Sequence, residues 1–388
     1  MNFQPSDEQQ SIRDSIQKIC AQFGDAYWLE RDREGGFPEA FVGALARDGW
    51  LGICIPEAYG GAGLSIADAA VMMQTIARSG AGMSGASAVH INVFGLNPVV
   101  VFGNEEQKRR MLPPMARGEV KTCFAVTEPN TGLNTTQLKT RAVRRGKHYV
   151  VNGQKVWIST AQVADKMLLL ARTTPLEEVK QPTHGLTLFY TDLDRSRIDV
   201  REIEKMGRKC VDSNELFIQD LEIPVEDRIG EEGRGFEYIL HGMNPERVLI
   251  AAEAVGLGQL ALDRASAYAK ERRVFNRPIG QNQGIQHPLA RNWIELEAAW
   301  LMVMQAAWQY DNGQNCAAAA NAAKYLAGEA GFNACQQAVM THGGFGYAKE
   351  YHVERYLREI MVPRIAPISP ELVLCFIAEK VLGLPKSY

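Results

Sequence analysis

The sequence offers few residues whose type and spacing do chemistry unaided. Its seven cysteines (Cys20, Cys54, Cys123, Cys210, Cys316, Cys335 and Cys375) are widely separated and odd in number, so neither a disulfide framework nor a CxxC zinc knuckle can be drawn from them. The seven histidines form no HExxH or HxH pair, and no GxxxxGK[ST] segment provides a P-loop. Gly256-Leu257-Gly258-Gln259-Leu260-Ala261 matches a GxGxxA fingerprint. It lies inside an expected helix, however, so no helix N-terminus is free to meet a pyrophosphate, and close helix packing explains the small residues better. The glycine-rich loops Tyr59-Gly60-Gly61-Ala62-Gly63 and His342-Gly343-Gly344-Phe345-Gly346 read as turns when taken alone. The chemistry is therefore expected to come from something other than a metal or a nucleophilic cysteine.

The elements that would position such chemistry change character twice along the 388 residues. Up to about residue 120 the apolar spacing is helical, with Ile12, Ile16 and Ile19 repeating within 7–23 and similar patterns over 37–49 and 66–78. From about 121 to 233 short aliphatic and aromatic runs predict strands. Tyr149-Val150-Val151 follows Arg145-Gly146-Lys147 as in a hairpin, because Gly146 can supply the positive φ of a tight turn. After Gly235 the pattern is helical, with no strong strand candidate. One long helix is expected to start at Asn244-Pro245, Asn as N-cap and Pro as first residue, and to run to Arg273. Lys plus Arg total 42 and Asp plus Glu 45, a net charge of −3 with a pI near 6.2, which gives no electrostatic reason to bind nucleic acid. The longest uncharged stretch, 79–104, is broken by glycines and Pro98, so it is not expected to span a membrane, and the charged N-terminal segment does not read as a signal peptide. A cytoplasmic chain is the expectation.

Several segments, in order, resemble the acyl-CoA dehydrogenase family across nearly the whole chain. They are Ile55-Pro56-Glu57-Ala58-Tyr59-Gly60-Gly61-Ala62-Gly63-Leu64-Ser65, Phe124-Ala125-Val126-Thr127-Glu128-Pro129-Asn130-Thr131-Gly132, Asn152-Gly153-Gln154-Lys155-Val156-Trp157-Ile158-Ser159, Glu271-Arg272-Arg273-Val274-Phe275 with Gln283, and Gly343-Gly344 with Glu354-Arg355-Tyr356-Leu357-Arg358. The resemblance implies a multi-domain α+β fold: an N-terminal helical domain (1–120), a central β-barrel-like domain (121–233) and a C-terminal four-helix bundle (234–388). It also implies FAD, an acyl-CoA substrate, an electron-transfer flavoprotein as acceptor, and a homotetramer built as a dimer of dimers. By the same resemblance Phe124, Val126 and Thr127 line the flavin's pyrimidine edge, Trp157 packs on its ring system and Ser159 donates toward N5, the hydride acceptor. Gly132 and Leu133 are expected beside the cofactor, Leu133 and Arg247 beside the substrate. Arg272, Phe275, Gln283, Gly343 and Gly344 would reach the ADP half from a neighbouring subunit, and Ser369 and Glu371 would also contact the cofactor. The chain departs from the family pattern at Leu133-Asn134, where Ser-Asp is usual, at Asn276 in place of Gly, and at Met340 in place of Gln.

The resemblance further implies a base that takes the substrate's α proton. The usual glutamate of an Ile-Tyr-Glu-Gly-Thr segment aligns here with Pro367 in Ile365-Ala366-Pro367-Ile368-Ser369, which can neither accept a proton nor donate a backbone N–H. The long-chain and isovaleryl members instead carry the base on a helix that begins Glu-Arg, and Glu246-Arg247 matches that motif. Glu246 is therefore the expected base, in the first turn of its helix, ionised by the macrodipole and raised toward a useful pKa by desolvation. Two alternatives stand beside α,β-dehydrogenation: another reaction on the same scaffold, such as a desulfinase-like lyase or an oxidase, and a base-poor flavin-binding subunit of a mixed oligomer.

Overall fold

The computed structural model describes residues 4–387. Seven helices come first: α1 (Asp7–Cys20), α2 (Asp25–Glu34), α3 (Glu39–Arg47), α4 (Ile66–Ile76), α5 (Gly82–Phe94), α6 (Asn97–Phe102) and α7 (Glu105–Ala116). Their starts are written locally. Ser6, Ser65 and Asn104 each accept a hydrogen bond from the backbone N–H three residues on, and the Gln9, Asp68 and Gln107 side chains accept one from the cap residue's own N–H. α1 buries Ile12, Ile16 and Ile19, the stripe expected from spacing.

The middle of the chain forms β1 (Thr122–Ala125), β2 (Arg141–Arg145), β3 (His148–Ser159), β4 (Lys166–Arg172), β5 (Leu186–Asp192), β6 (Ile198–Glu202), β7 (Ser213–Pro224) and β8 (Arg228–Ile229). They make one sheet in the order β6-β7-β3-β2-β4-β5-β8, with β1 parallel to β4. Residues from both flanks, Ile198 and Leu216 at one and Met167 and Phe189 at the other, share a single buried cluster, so the sheet curls around its own core. The outer face of β4 and β5 packs on α7 and on Tyr238 and Ile239. Gly146 takes φ +61 between β2 and β3, the hairpin expected from the sequence. The runs at Tyr149 and Val156 belong to one long strand. β3 and β7 pair with two offset irregularities: β7 carries an extra residue near Asp220, and β3 carries one near Trp157. Asp220 (φ +47) and Trp157 (φ +62) mark the two bulges, and the Asn152 amide braces the first by exchanging hydrogen bonds with Asp220.

The last third holds α8 (Gly235–Glu271), α9 (Gln283–Asp311), α10 (Ala317–His342), α11 (Val353–Glu359), α12 (Met361–Ile365) and α13 (Pro370–Lys380). The expected start at Asn244-Pro245 is corrected. α8 begins ten residues earlier, and Pro245 lies inside it, buried. The early turns are held by tertiary packing of Tyr238 and Ile239 on the β-domain core, which outweighs the one helical N–H that Pro245 lacks. A second correction is a small hairpin, β9 (Arg273–Val274) with β10 (Arg277–Pro278), in a region expected to hold no strand. α8 and the helices around it share one apolar core with α1, α3, α4 and α5. Within it Gly256 and Gly258 serve close packing, as expected: a Cβ on Gly256 would stand 2.3 Å from the Gln74 carbonyl oxygen, and one on Gly258 2.6 Å from Leu296 Cδ2.

By length and composition two helical stretches, Ile66–Phe102 and Val353–Lys380, are apolar enough to cross a bilayer. The first is mostly buried in the core and turns at Gly80 and Gly82, both at positive φ. The second is three short helices. The break in the first stretch explains the Glu354–Arg358 segment. Arg355 donates to the carbonyls of Gly80 (2.7 Å) and Ala81 (3.4 Å) and to Glu359 (3.1 Å), while Glu359 accepts from the Ser84 hydroxyl (2.7 Å). Arg358 forks onto Asp32 at 2.7 and 2.9 Å.

Candidate active site

Glu246 lies on α8 where burial drives its chemistry. Its Oε2 is enclosed and has no hydrogen-bond partner among the described residues. Desolvation pushes its pKa up from 4.5 to about 7; His90, Arg247 and Lys324 pull it back, and Glu253 adds to the rise. The expectation that Glu246 sits in a first helical turn fails, because α8 starts at Gly235, so the helix dipole plays no part in holding it ionised. The neighbouring cations do that work instead. The adjacent Arg247 is itself largely buried, donates to the Asn244 side chain at 2.9 Å and leaves its Nε unpartnered, so Asn244 orients an arginine rather than capping a helix.

Lys324 of α10 joins this site to the segment around Pro367. Its Nζ donates to the carbonyls of Arg364 (3.0 Å) and Ile368 (2.6 Å), which flank Pro367, and its charge is felt at Glu246. Burial lowers the pKa of Lys324 to about 8, with Glu329, Glu371 and Glu246 opposing. Ser369 caps α13 by accepting from the Leu372 N–H (3.3 Å), and Glu371 stands in that helix's first turn, its pKa lowered by a backbone hydrogen bond and by Ser369. Both therefore lie beside the Pro367 loop, which the Lys324 ammonium holds.

On the β domain, Phe124 stands one residue before the end of β1 with its ring 5.8 Å from Phe94 of α5. The segment after it is pinned from below by a buried ion pair. Lys155 Nζ donates to the Val126 and Leu170 carbonyls (2.9 and 2.8 Å) and to Glu128 (3.0 Å), and Glu128 also accepts the Lys139 and Thr140 N–H groups (2.7 and 2.9 Å). The Thr127 carbonyl accepts the Val156 N–H at 3.0 Å, which ties this segment to β3 just before the bulge. There the left-handed backbone throws the Trp157 indole outward, 59% exposed, with Ser159 two residues on. Beyond the pinned segment Gly132 faces open space, Leu133 is exposed, and the buried Thr131 hydroxyl has no partner among the described residues.

The remaining expected cofactor residues form a second group at the far ends of α8 and α10. Phe275 and Asn276 are the two turn residues of the β9–β10 hairpin, at φ +51 and +63, which explains how Asn replaces the usual glycine: Asn tolerates the left-handed region. Phe275 is 94% exposed. Arg272 lies over the Phe345 ring at 5.8 Å, which brings it to the Gly343-Gly344 loop, where an added Cβ at either glycine would meet nothing within 4 Å. Gln283 opens α9, and Met340 is exposed. A flavin dinucleotide suits both groups. The first offers a presented indole and an orphaned buried hydroxyl, the second an arginine, an exposed aromatic ring and an uncrowded glycine loop.

Sequence reasoning missed His90, Glu253 and Lys324, whose charges act on Glu246, and Arg208, whose charge acts on His90. A signal was present: Glu253 interrupts an otherwise apolar helical run, and His90 lies in the longest uncharged stretch.

Comparisons with known proteins agree with the three-part fold. Residues 6–119, 123–221 and 233–382 match the N-terminal, middle and C-terminal domains of acyl-CoA dehydrogenase. Acyl-CoA dehydrogenase FadE12 of Mycobacterium tuberculosis is 37% identical, over 100% of this chain and 99% of its own. Subunit CarC of the caffeyl-CoA reductase-Etf complex of Acetobacterium woodii is 34% identical over 86% and 87% of the two chains. The structure of butyryl-CoA dehydrogenase from Megasphaera elsdenii superposes with a TM-score of 0.93 at 28% identity, covering 98% of this chain and 100% of that one.

Proposed function

Because this chain belongs to the acyl-CoA dehydrogenase family, we propose that it oxidises an acyl-CoA thioester to the 2-enoyl-CoA with Glu246 as its base. The observation that carries this reading is the environment of Glu246. A half-buried carboxylate with one oxygen enclosed and unpartnered among the described residues, and a pKa near 7, is poised to accept a proton from a weak carbon acid at neutral pH. Lys324, whose charge acts on Glu246, also holds the loop in which Pro367 cannot serve.

FAD, when bound, supplies the two-electron oxidant that receives the hydride from the β carbon. Phe124, Val126, Thr127, Gly132 and Leu133 line one edge of its site, Trp157 covers the ring system, and Ser159 donates a hydrogen bond. Arg272, Phe275, Gln283, Gly343 and Gly344 hold the ADP half for a neighbouring subunit, which gives the 94%-exposed Phe275 a partner, and Ser369 and Glu371 border the cofactor near Glu246. Arg247, buried and braced by Asn244, orients the thioester end of the substrate. Pro367 offers no N–H to the thioester carbonyl, so a neighbouring donor has to polarise it. Self-association is supported by α9, where Ile294, Leu301 and Trp308 recur every seven residues and are 62%, 51% and 55% exposed. We take the assembly to be a homotetramer and the electron acceptor to be an electron-transfer flavoprotein, the latter supported by the Etf complex to which the Acetobacterium relative belongs. Cytoplasmic action is supported by seven free thiols, most of them buried.

The test is anaerobic. The purified yellow protein is mixed with a panel of acyl-CoA thioesters and flavin absorbance is followed. Bleaching by at least one of them is expected. A yellow protein that stays oxidised across the panel would overturn the reading in favour of a flavin-holding subunit that lacks a working base.

A further inference from the structure

We propose that His90 and Glu253 form the distal end of the acyl-binding site and select acyl groups carrying a hydroxyl well beyond the reacting carbons. The proposal rests on the dehydrogenase reading above and deepens it.

Glu253 follows Glu246 by seven residues, two turns along the same face of α8. His90 reaches it from α5, with Nδ1 2.5 Å from Glu253 Oε1. The Glu253 side chain is only 1% exposed and that of His90 15%. On the other side of each group, His90 Nε2 and Glu253 Oε2 are buried without a partner among the described residues. Burying an ion pair and leaving half its polar atoms unsatisfied is costly unless something else completes them.

The position of the pair points to the acyl chain. One turn along α5 from His90, Phe94 packs edge-on against the imidazole (4.8 Å) and also approaches Phe124, the expected flavin-edge residue. The pair thus lies behind an aromatic wall, further along α8 than the base. Burial opposes the charged imidazole, but Glu253 and Glu246 outweigh it and hold the His90 pKa above its usual value, with Arg208 acting against them. Arg208, half-buried, donates to the Ser87 hydroxyl at 2.8 Å. His90 in this state donates through Nδ1 to Glu253 and has an Nε2–H to give, while Glu253 Oε2 has a lone pair to offer. A hydroxyl answers both, accepting from the imidazolium and donating to the carboxylate. A methyl terminus strands both.

The experiment uses FAD-loaded enzyme and pairs of 2-enoyl-CoA thioesters of equal length, with and without a distal hydroxyl. These bind without being oxidised, and affinity is read from the perturbed flavin spectrum. At one chain length the hydroxylated member should bind about tenfold or more tightly, the scale of one satisfied buried hydrogen bond. The double variant His90→Phe/Glu253→Leu should lose that preference. Equal affinities at every length in the wild-type enzyme would overturn the proposal, leaving the pair satisfied by buried water, and this comparison decides even where the variant fails to fold. Discrimination in binding without bleaching by any saturated acyl-CoA would instead count against the dehydrogenase reading while sustaining the pocket assignment.

Discussion

Replacing Glu246 with Gln preserves the side chain's volume and removes its proton chemistry, so one substitution tests both the base and the environment assigned to it. Burial raises the Glu246 pKa from 4.5 to about 7, and at about 1.36 kcal/mol per pH unit that difference corresponds to roughly 3 kcal/mol. Between those two values the native protein holds a proton that the unfolded chain has released. Stability therefore falls as pH rises through the window, and above pH 7 the full cost of the buried carboxylate is present. Gln carries no such cost. Glu246→Gln should be more stable than wild type at pH 8 by up to roughly 3 kcal/mol, with the advantage shrinking as pH falls toward 5. The same variant should keep FAD and slow anaerobic bleaching by about 10²–10⁴-fold, the usual contribution of a general base. Thermal melts across pH 5–8 and stopped-flow bleaching supply the two readouts. A stability difference that does not change with pH, or bleaching within tenfold of wild type, would refute the assignment of Glu246 as a buried base titrating near neutrality.

Lys155→Met removes the cation that joins Glu128 to the Val126 and Leu170 carbonyls. Stranding a buried carboxylate costs about 3–5 kcal/mol, so denaturant melts should shift markedly and the protein should emerge depleted of flavin. Gly256→Ala places a methyl 2.3 Å from the Gln74 carbonyl oxygen between α8 and α4, and denaturant titration should register a loss of about 1–3 kcal/mol or more. Phe275→Gly acts the other way. The ring is exposed and its φ is +51, so glycine should leave the flavin-free protein equally or slightly more stable, by up to about 1 kcal/mol, while weakening FAD retention in equilibrium dialysis. In wild type, kcat/KM should rise with pH through about 7, where burial places the Glu246 pKa, as the base ionises.

Much of the scaffold was legible because its cues are local. Ile12, Ile16 and Ile19 mark a buried face, Gly146 marks a hairpin, and small residues at 256 and 258 mark a close helix crossing. The start of α8 was not. Asn244-Pro245 has the signature of a helix beginning, yet Tyr238 and Ile239 dock on the β domain and extend the helix ten residues upstream, an energy that no local propensity contains. The candidate base could be named from a motif, but the groups that tune it could not. His90 meets Glu253 across 163 residues, and Lys324 reaches Ile368 across 44. Pairing over such separations depends on how helices cross, which a single sequence does not state. Lys155 and Glu128 illustrate the same point: each sits inside a recognisable motif, but their ion pair became visible only once β3 was laid beside the chain that follows β1.

The two bulges between β3 and β7 cancel. The ladder slips by one residue at Asp220 and recovers it at Trp157, so both ends of the hairpin share one alignment while the segment from Gly153 to Lys155 is offset between them. A lone deletion at either bulge would leave that slip uncorrected and swap inward and outward side chains at one end of the strand pair. Two deletions, one in each strand, would restore the alignment. Length changes in these two strands are therefore coupled, and homologues that lack one kink should lack the other.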